Sequence, residues 1–399
     1  MRYEFRKVLQ IMTKTRLQKH SSRPAMGWPT QPPELSVTLP SRYYLDETVF
    51  ERERTQVFMS AWHPAGHKSE LCSPGQFVML DVFDQSVILA CDNKSKVHGF
   101  HNVCQHRGNR LVEERRGTQK GGFRCAYHSW CYHPDGSLIS APRTAKLPNF
   151  DVRSVRIPSV RVEEFGGFYY FNFDADAPSL SALFRGADAA IHEAFPQLDD
   201  YRLIEEADFP VPANWKVIMD NAIEGYHFPR SGPAHSELAN LIDFDGYRLI
   251  AHDKWWTYVA PANMRATSAY GVPLTGARNP KECFFNITLW PGSTFYTFPY
   301  SELLGTFHLV PVDAGHSILR FGYYSTTPEL PEVAKACMRW MNHDLGPEDI
   351  RLNTSVQRGL HSLGYDQGRY VIDPEHSNES EHLVHHFHKL VYRAIHGER

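Results

Sequence analysis

Two short stretches of the chain carry one cysteine and one histidine each: Cys104-Gln105-His106 and Cys125-Ala126-Tyr127-His128. That interleaving narrows the chemistry. A structural zinc site commonly groups its cysteines in one knuckle and its histidines in another. Mixed within each loop, the four residues suit a two-iron, two-sulfide cluster. One iron takes both thiolates and the other takes both imidazoles. Neutral imidazoles leave such a cluster less negative than an all-thiolate one, so it accepts an electron more readily. On the residues alone, a zinc knuckle or scattered core positions is the alternative.

A second group lies at Asp220, Glu224 and His227, spaced i, i+4, i+7. The text from Trp215 to His227 predicts a helix, on which the three share one face. Trp215, Val217, Ile218 and Ile223 bracket them. Two carboxylates and an imidazole are costly to bury in such company without a metal or a charge partner. Pro229, Gly232 and Pro233 end the helix, and His235 follows just past the turn. Two neutral imidazoles and a carboxylate form the facial triad of non-haem Fe(II) oxygenases, which leaves positions open for O₂. One further carboxylate must come from a distant segment. Asp349, in Pro347-Glu348-Asp349-Ile350, is the candidate. By itself it reads as a carboxylate stabilising a helix N-terminus. Asp220 reads as a group that orients a histidine rather than as a ligand. His382, His385, His386 and His388 alternate with Leu383, Phe387 and Leu390, which predicts a solvated or packed helix face rather than a metal tract.

These residues need two kinds of scaffold. From Trp62 the chain turns to short alternating runs such as Phe77–Val82, Ser86–Ala90 and Gly167–Phe173. Both cysteine–histidine loops fall in this all-β region, placed at 60–175. After about 180 the pattern mixes strands, between 245 and 325, with helices and ends in a long helical region. That order predicts an α+β protein. The expected organisation is a basic N-terminal extension over 1–35, a catalytic segment over 36–59, the all-β domain over 60–175 and a catalytic domain over 176–399.

Bulk properties exclude several partners. Net charge is −3 over 399 residues, which points away from nucleic acid. No apolar run approaches the ~20 residues of a membrane span. Two of seven cysteines are candidate ligands, and the other five are scattered. Free thiols in a reducing cytoplasm account for them. Met1–Arg23 is basic and reads as a disordered or partly helical extension, or an early start, in preference to a transit peptide.

The motifs Cys104-Gln-His-Arg-Gly108 and Cys125-Ala-Tyr-His-Ser-Trp130 resemble the Rieske loops of ring-hydroxylating and related oxygenases. Ala126 and Ser129 stand where that pattern usually has Pro and Gly. The segments 215–238 and 348–359 resemble the catalytic domain of the same family. The resemblance implies a Rieske [2Fe–2S] domain beside an antiparallel sheet wrapped around a C-terminal helix. It implies Cys104, His106, Cys125 and His128 as cluster ligands, and His227, His235 and Asp349 as ligands of a mononuclear Fe(II). Glu224 would bridge the two centres, with Asp220 beside it. The family's two histidines are usually about five residues apart; here they are eight apart, so a longer loop must fold back. A separate flavin and iron–sulfur reductase would supply electrons from NAD(P)H, consistent with the lack of a Gly-rich dinucleotide motif. A head-to-tail homotrimer is implied.

Within that family, Glu rather than Asp at 224 resembles the group acting on carnitine, glycine betaine, choline and stachydrine. Quaternary ammonium groups are held by aromatic faces. Trp255, Trp256, Tyr258, Trp290, Tyr296 and Phe298 are candidates for such a cage, with Phe284, Phe285 and Phe295 nearby. The expected reaction is oxidative N-demethylation of a small betaine, with release of formaldehyde. Hydroxylation or O-demethylation of a small aromatic acid is the alternative. A metal-binding scaffold without activity is the opposing class.

Overall fold

A computed structural model describes residues 29–275 and 279–397. The basic stretch Met1–Arg23 lies outside them. The architecture is α+β, with two seven-stranded antiparallel sheets. The first sheet runs, in order, His63–His67, Phe168–Asn172, Ser159–Phe165, Val97–His101, Gln85–Cys91, Gln76–Val82 and Arg116–Thr118. A small sheet of Phe123–Arg124, Cys131–Tyr132 and Leu138–Ser140 stands beside it.

The second sheet is curled. Its order is Arg202–Val211, His316–Ser325, Leu304–Asp313, Ser293–Thr297, Cys283–Leu289, Trp255–Pro261 and Arg248–Ala251. Register decides what each face does. Tyr258 lies opposite Asn286, Asn286 opposite Tyr296, and Phe307 opposite Phe321. Successive side chains in a strand point to opposite faces. Tyr258, Phe284, Asn286, Tyr296, Phe307 and Phe321 therefore share one face. Phe285 and Phe295 go to the other, where they meet Phe195 and Phe168 at 6.0 and 5.0 Å between ring centres. That second contact joins the two sheets.

The sheet wraps the C-terminal helix His382–His396. Phe387 is fully buried there, 5.4 Å from Trp215, 5.9 Å from Trp290 and 6.2 Å from Trp256. The helix Trp215–Ala222 is pinned at its start. Asn214 accepts from the Lys216 amide and donates to the carbonyls of Tyr44 and Ala314. Lys216 pairs with Glu53 at 2.7 Å, both side chains fully buried, and Trp215 Nε1 also donates to Glu53. Removing one partner of such a pair leaves an uncompensated buried charge, at a cost of about 3–5 kcal/mol.

The helix expected to reach His227 stops at Ala222. Gly225 is the physical reason for the irregular path. A Cβ there would stand 2.7 Å from both the Asn378 carbonyl oxygen and the Tyr247 ring. The chain can pass only as bare backbone. It then makes a single 3₁₀ turn, Phe228–Arg230, and enters a second helix, Pro233–Leu241. A longer rod follows the sheet: Glu332–Trp340, a wide π-type turn at Met341–Leu345, and Gly346–Leu360.

Candidate metal centres and substrate cavity

The two cysteine–histidine loops repeat one backbone design. In the first, Gly108 N–H donates to the Cys104 carbonyl and Cys104 N–H to that of Asn109. In the second, Ser129 N–H donates to the Cys125 carbonyl and Cys125 N–H to that of Trp130. Each tight loop needs a residue with positive φ: Gly108 at 75° and Ser129 at 60°. The two thiols are buried, at 2% and 1% exposure, and both imidazoles reach the surface. His106 Nδ1 and His128 Nδ1 face one another at 3.1 Å. Trp130 stacks on the His106 ring, 4.9 Å between centres and 10° off parallel, which fixes its plane. Burial pushes the Cys104 thiol up, so a metal that stabilises the thiolate answers a real penalty. Tyr132 supplies a hydroxyl 3.3 Å from Cys104 Sγ and accepts from the Gln105 amide at 3.0 Å.

The second donor set is assembled from three segments. His227 follows the irregular turn, His235 sits in the first turn of Pro233–Leu241, and Asp349 sits in the first turn of Gly346–Leu360. Their donor atoms all lie within 4.8 Å of one another. His235 Nε2 is 3.1 Å and His227 Nε2 is 3.9 Å from Asp349 Oδ1. That oxygen is buried without a hydrogen-bond partner among the described residues. Each imidazole gives its other nitrogen to a carboxylate. His227 Nδ1 is hydrogen-bonded to Glu224, and His235 Nδ1 to Glu348 at 2.8 Å. This leaves both Nε2 atoms pointing at the common centre, the arrangement by which carboxylates orient metal-binding histidines. Burial works against a charged His235, yet Asp349 and Glu348 outweigh it and raise the group. The centre is thus electronegative and suited to a cation. The eight-residue spacing is accommodated by the 3₁₀ turn and the start of the second helix.

Asp220 is not part of that centre. It accepts from Tyr44 Oη and from His388 Nε2, each at 2.8 Å, and Tyr370 Oη meets His388 Nδ1 at 2.7 Å. His388 thereby belongs to a buried network that ties the C-terminal helix to the helix carrying Asp220. His382 and His386 bond the carbonyls of Leu249 and Asp253. Glu381 lies beside Glu224 and Asp220. Burial, with those two carboxylates adding to it, pushes its pKa up to about 7.

Next to the second donor set is a cavity of about 100 Å³. One wall is helical: Met341, Leu345, Asp349 and Asn353, four residues apart, with Ile218 and Leu238. The other is the sheet face: Tyr258, Phe284, Asn286, Tyr296, Phe298, Phe307 and Phe321. Among the described residues, no lysine or arginine is part of the lining. Half of the expected aromatic cage is elsewhere. Trp255 stacks on His252 and donates to the Arg185 carbonyl on the opposite face. Trp256 and Trp290 pack on the C-terminal helix.

Residues 61–151 match the model of the Rieske [2Fe–2S] domain, and residues 198–397 match that of the ring hydroxylating alpha subunit, catalytic domain. The chain is 32% identical over 367 residues to the carnitine monooxygenase oxygenase subunit of Escherichia coli (strain K12), covering 91% of this chain and 95% of that one. This chain belongs to the Rieske non-haem iron oxygenases. The oxygenase is also 29% identical over 379 residues to the chloroplastic choline monooxygenase of Amaranthus tricolor, over 92% and 80% of the two chains. A quaternary ammonium Rieske monooxygenase solved with its substrate L-carnitine superposes with a TM-score of 0.81, at 30% identity over 91% of this chain and 96% of that one. A naphthalene 1,2-dioxygenase from Rhodococcus sp. shares the fold at a TM-score of 0.76 and 17% identity, covering 98% of both chains.

Enzymes of this family are monooxygenases or dioxygenases that carry a Rieske [2Fe–2S] cluster and a mononuclear non-haem iron. Electrons typically come from a separate reductase. The oxygenase's two donor sets fit those groups. The paired Nδ1 atoms and buried thiols suit the cluster, and the unpartnered Asp349 oxygen between two Nε2 atoms suits the iron. Sequence reasoning gave no role to Glu348, Tyr132 or His388. Glu348 had a signal, as the other half of an acidic pair opening a helix. Tyr132 and His388 had none, because their partners are distant in sequence.

Proposed function

We propose that this oxygenase N-demethylates a small quaternary ammonium compound such as stachydrine or glycine betaine, releasing formaldehyde. The observation that carries the reading is the cavity beside His227, His235 and Asp349, walled by aromatic rings and, among the described residues, free of lysine and arginine. Ring faces attract an ammonium that has no hydrogen-bond donors of its own. Two curated relatives act on carnitine and choline by their names, and both of those compounds carry that group.

In this reading Cys104, His106, Cys125 and His128 hold the cluster, and His227, His235 and Asp349 hold the iron. The bound metals supply electron storage and dioxygen activation. The chain's own residues do the rest. Glu348 and Glu224 keep the two imidazoles turned toward the centre. The aromatic wall would hold the ammonium with an N-methyl group toward His227, His235 and Asp349 and would keep bulk water away. Overall, one oxygen atom enters the methyl carbon and the other leaves as water, with two electrons and two protons consumed. The resulting carbinolammonium gives up its hydroxyl proton as its C–N bond breaks, and formaldehyde and the demethylated amine are released.

Glu224 is the bridge. His128 of one subunit would meet it from outside, and His227 binds it from within, in a head-to-tail homotrimer. A relative's structure is described as revealing inter-subunit electron transfer. A separate reductase feeds the cluster. No helix among the described residues is long and apolar enough to cross a membrane; we place the enzyme in the cytoplasm.

The test is a formaldehyde assay with reductase, NAD(P)H and O₂ over a panel of betaines, choline, carnitine and small aromatic acids. Formaldehyde in proportion to NAD(P)H consumed, from a betaine, supports the reading. Turnover of aromatic acids alone would replace it with the alternative.

A further inference from the structure

We infer that Asn286 is the specificity residue of the cavity. Its amide donates to an oxygen acceptor on the substrate, the end opposite the ammonium. The inference rests on the reading of the cavity as a quaternary ammonium site and adds what the other end of the substrate must be.

Asn286 occupies the middle of a central strand, between Tyr258 on one neighbour and Tyr296 on the other. Sheet parity aims all three into the cavity. Asn286 is 4% exposed, and its Nδ2 has no hydrogen-bond partner among the described residues. An amide buried in aromatic company without a partner bears the full desolvation penalty of the group. Its neighbours on the sheet face are the rings of Tyr258, Phe284 and Tyr296 and the Thr288 hydroxyl, which is already bonded to Thr294 at 2.8 Å, so an apolar residue would pack there without that penalty. The amide is therefore placed for something that enters the cavity. Asn353, the other unpartnered buried amide on the lining, sits one turn past Asp349 on the metal side. Asn286 stands on the sheet, across the cavity from the helices that carry the metal ligands.

The acceptor can be identified by class. Among the described residues no lysine or arginine lines the cavity, so away from the metal ligands a free anion would find no side-chain counter-charge. A zwitterion is neutral overall: its ammonium meets the rings, and its carboxylate takes a neutral donor. A hydroxyl oxygen offers the same acceptor chemistry with less charge. Either way, a site built to hydrogen-bond an oxygen discriminates against the analogue that lacks it, because the buried donor is then left unpaired.

The experiment compares glycine betaine (carboxylate), choline (hydroxyl) and ethyltrimethylammonium (neither) by calorimetric Kd on the iron-loaded holoenzyme. Wild type, Asn286→Leu and Asn286→Asp are used, with melting temperature and iron content as controls. For Asn286→Leu, the preference for betaine over ethyltrimethylammonium should fall 10- to 100-fold. For Asn286→Asp, betaine should lose more than with Leu, while choline, whose hydroxyl can donate to the new carboxylate, keeps its affinity. An unchanged preference in Asn286→Leu overturns the inference, and so does an equal loss for all three compounds. If wild type binds no quaternary ammonium compound, the functional reading fails first. Asn286→Leu is then measured with the aromatic acid that does bind: a 10-fold loss keeps Asn286 as the oxygen reader, and no loss overturns it.

Discussion

The two candidate metal sites, the cysteine–histidine loops and the set of His227, His235 and Asp349, are built by opposite strategies. Between Cys104 and His128 the chain makes one loop twice, each closed by its own backbone hydrogen bonds. The iron site has no local plan of that kind. Its donors come from a turn, a helix start and a second helix start, and Glu348 reaches His235 across 113 residues. The first site depends on local loop chemistry. The second depends on the sheet, the helices and two carboxylates that turn the histidines inward. A local site tolerates change elsewhere in the fold. An assembled site is sensitive to every element that meets there.

The largest expected effect falls on the local site. Cys104→Ser should abolish the visible cluster spectrum, since a hydroxyl is a poor replacement for a thiolate on iron. Cys131→Ser should leave it, because Cys131 Sγ is turned to the Gly121 carbonyl. Equal bleaching by both would undo the assignment. The matching change at the assembled site is Glu348→Gln. Iron affinity should fall about 10- to 100-fold, as for other lost orienting carboxylates, while the cluster spectrum is untouched. Metal titration followed by absorption of the cluster separates the two readouts. A cluster that vanished with Glu348→Gln would show that the sites are not independent.

A smaller effect is expected at Glu381. Its pKa of about 7 lies above the ordinary carboxyl value of 4.5. Stability tied to its proton is fully present below pH 4.5 and is lost as pH rises through 7. Glu381→Gln keeps an acceptor for the Val371 amide and cannot ionise. It should therefore be more stable than wild type at pH 8 by about 1–3 kcal/mol and show little difference at pH 4.5. Denaturant melts at the two pH values check this, and equal differences at both would contradict it. The smallest effect is at Ser129. Its φ of 60° is left-handed, the region where glycine has no Cβ cost. Ser129→Gly should stabilise the loop by about 1 kcal/mol, read in denaturant melts of the loaded protein, with the cluster spectrum retained.

The same contrast governs how much was legible in the sequence. The cluster motif is short, and its residue types alone suggested the chemistry. The strand runs 77–82 and 86–90 also appear in the first sheet, because alternation is a local signal. The assembled site was legible as a list of residues but not as geometry. The helix from Trp215 was read through to His227, since nothing in the sequence reports that Gly225 must slip between Tyr247 and Asn378. The aromatic cage was half misread for a similar reason. Trp255 differs from Tyr258 in strand parity, which the register fixes and composition does not, whereas Trp256 and Trp290 are taken up by Phe387 of the C-terminal helix. Asp220 was noticed for its spacing, yet its partners Tyr44 and His388 lie 176 and 168 residues away.

In the proposed reaction the local and the assembled site work together through Glu224. Glu224→Gln removes the charge while keeping the size; because Glu224 also orients His227, the variant is loaded with excess Fe(II) until both metals are bound. The decisive measurement is a single-turnover experiment with pre-reduced cluster, saturating betaine and O₂, followed by stopped-flow absorption. Cluster oxidation should slow by at least 100-fold relative to wild type, and formaldehyde should fall in step. Oxidation at the wild-type rate in Glu224→Gln would contradict the bridge.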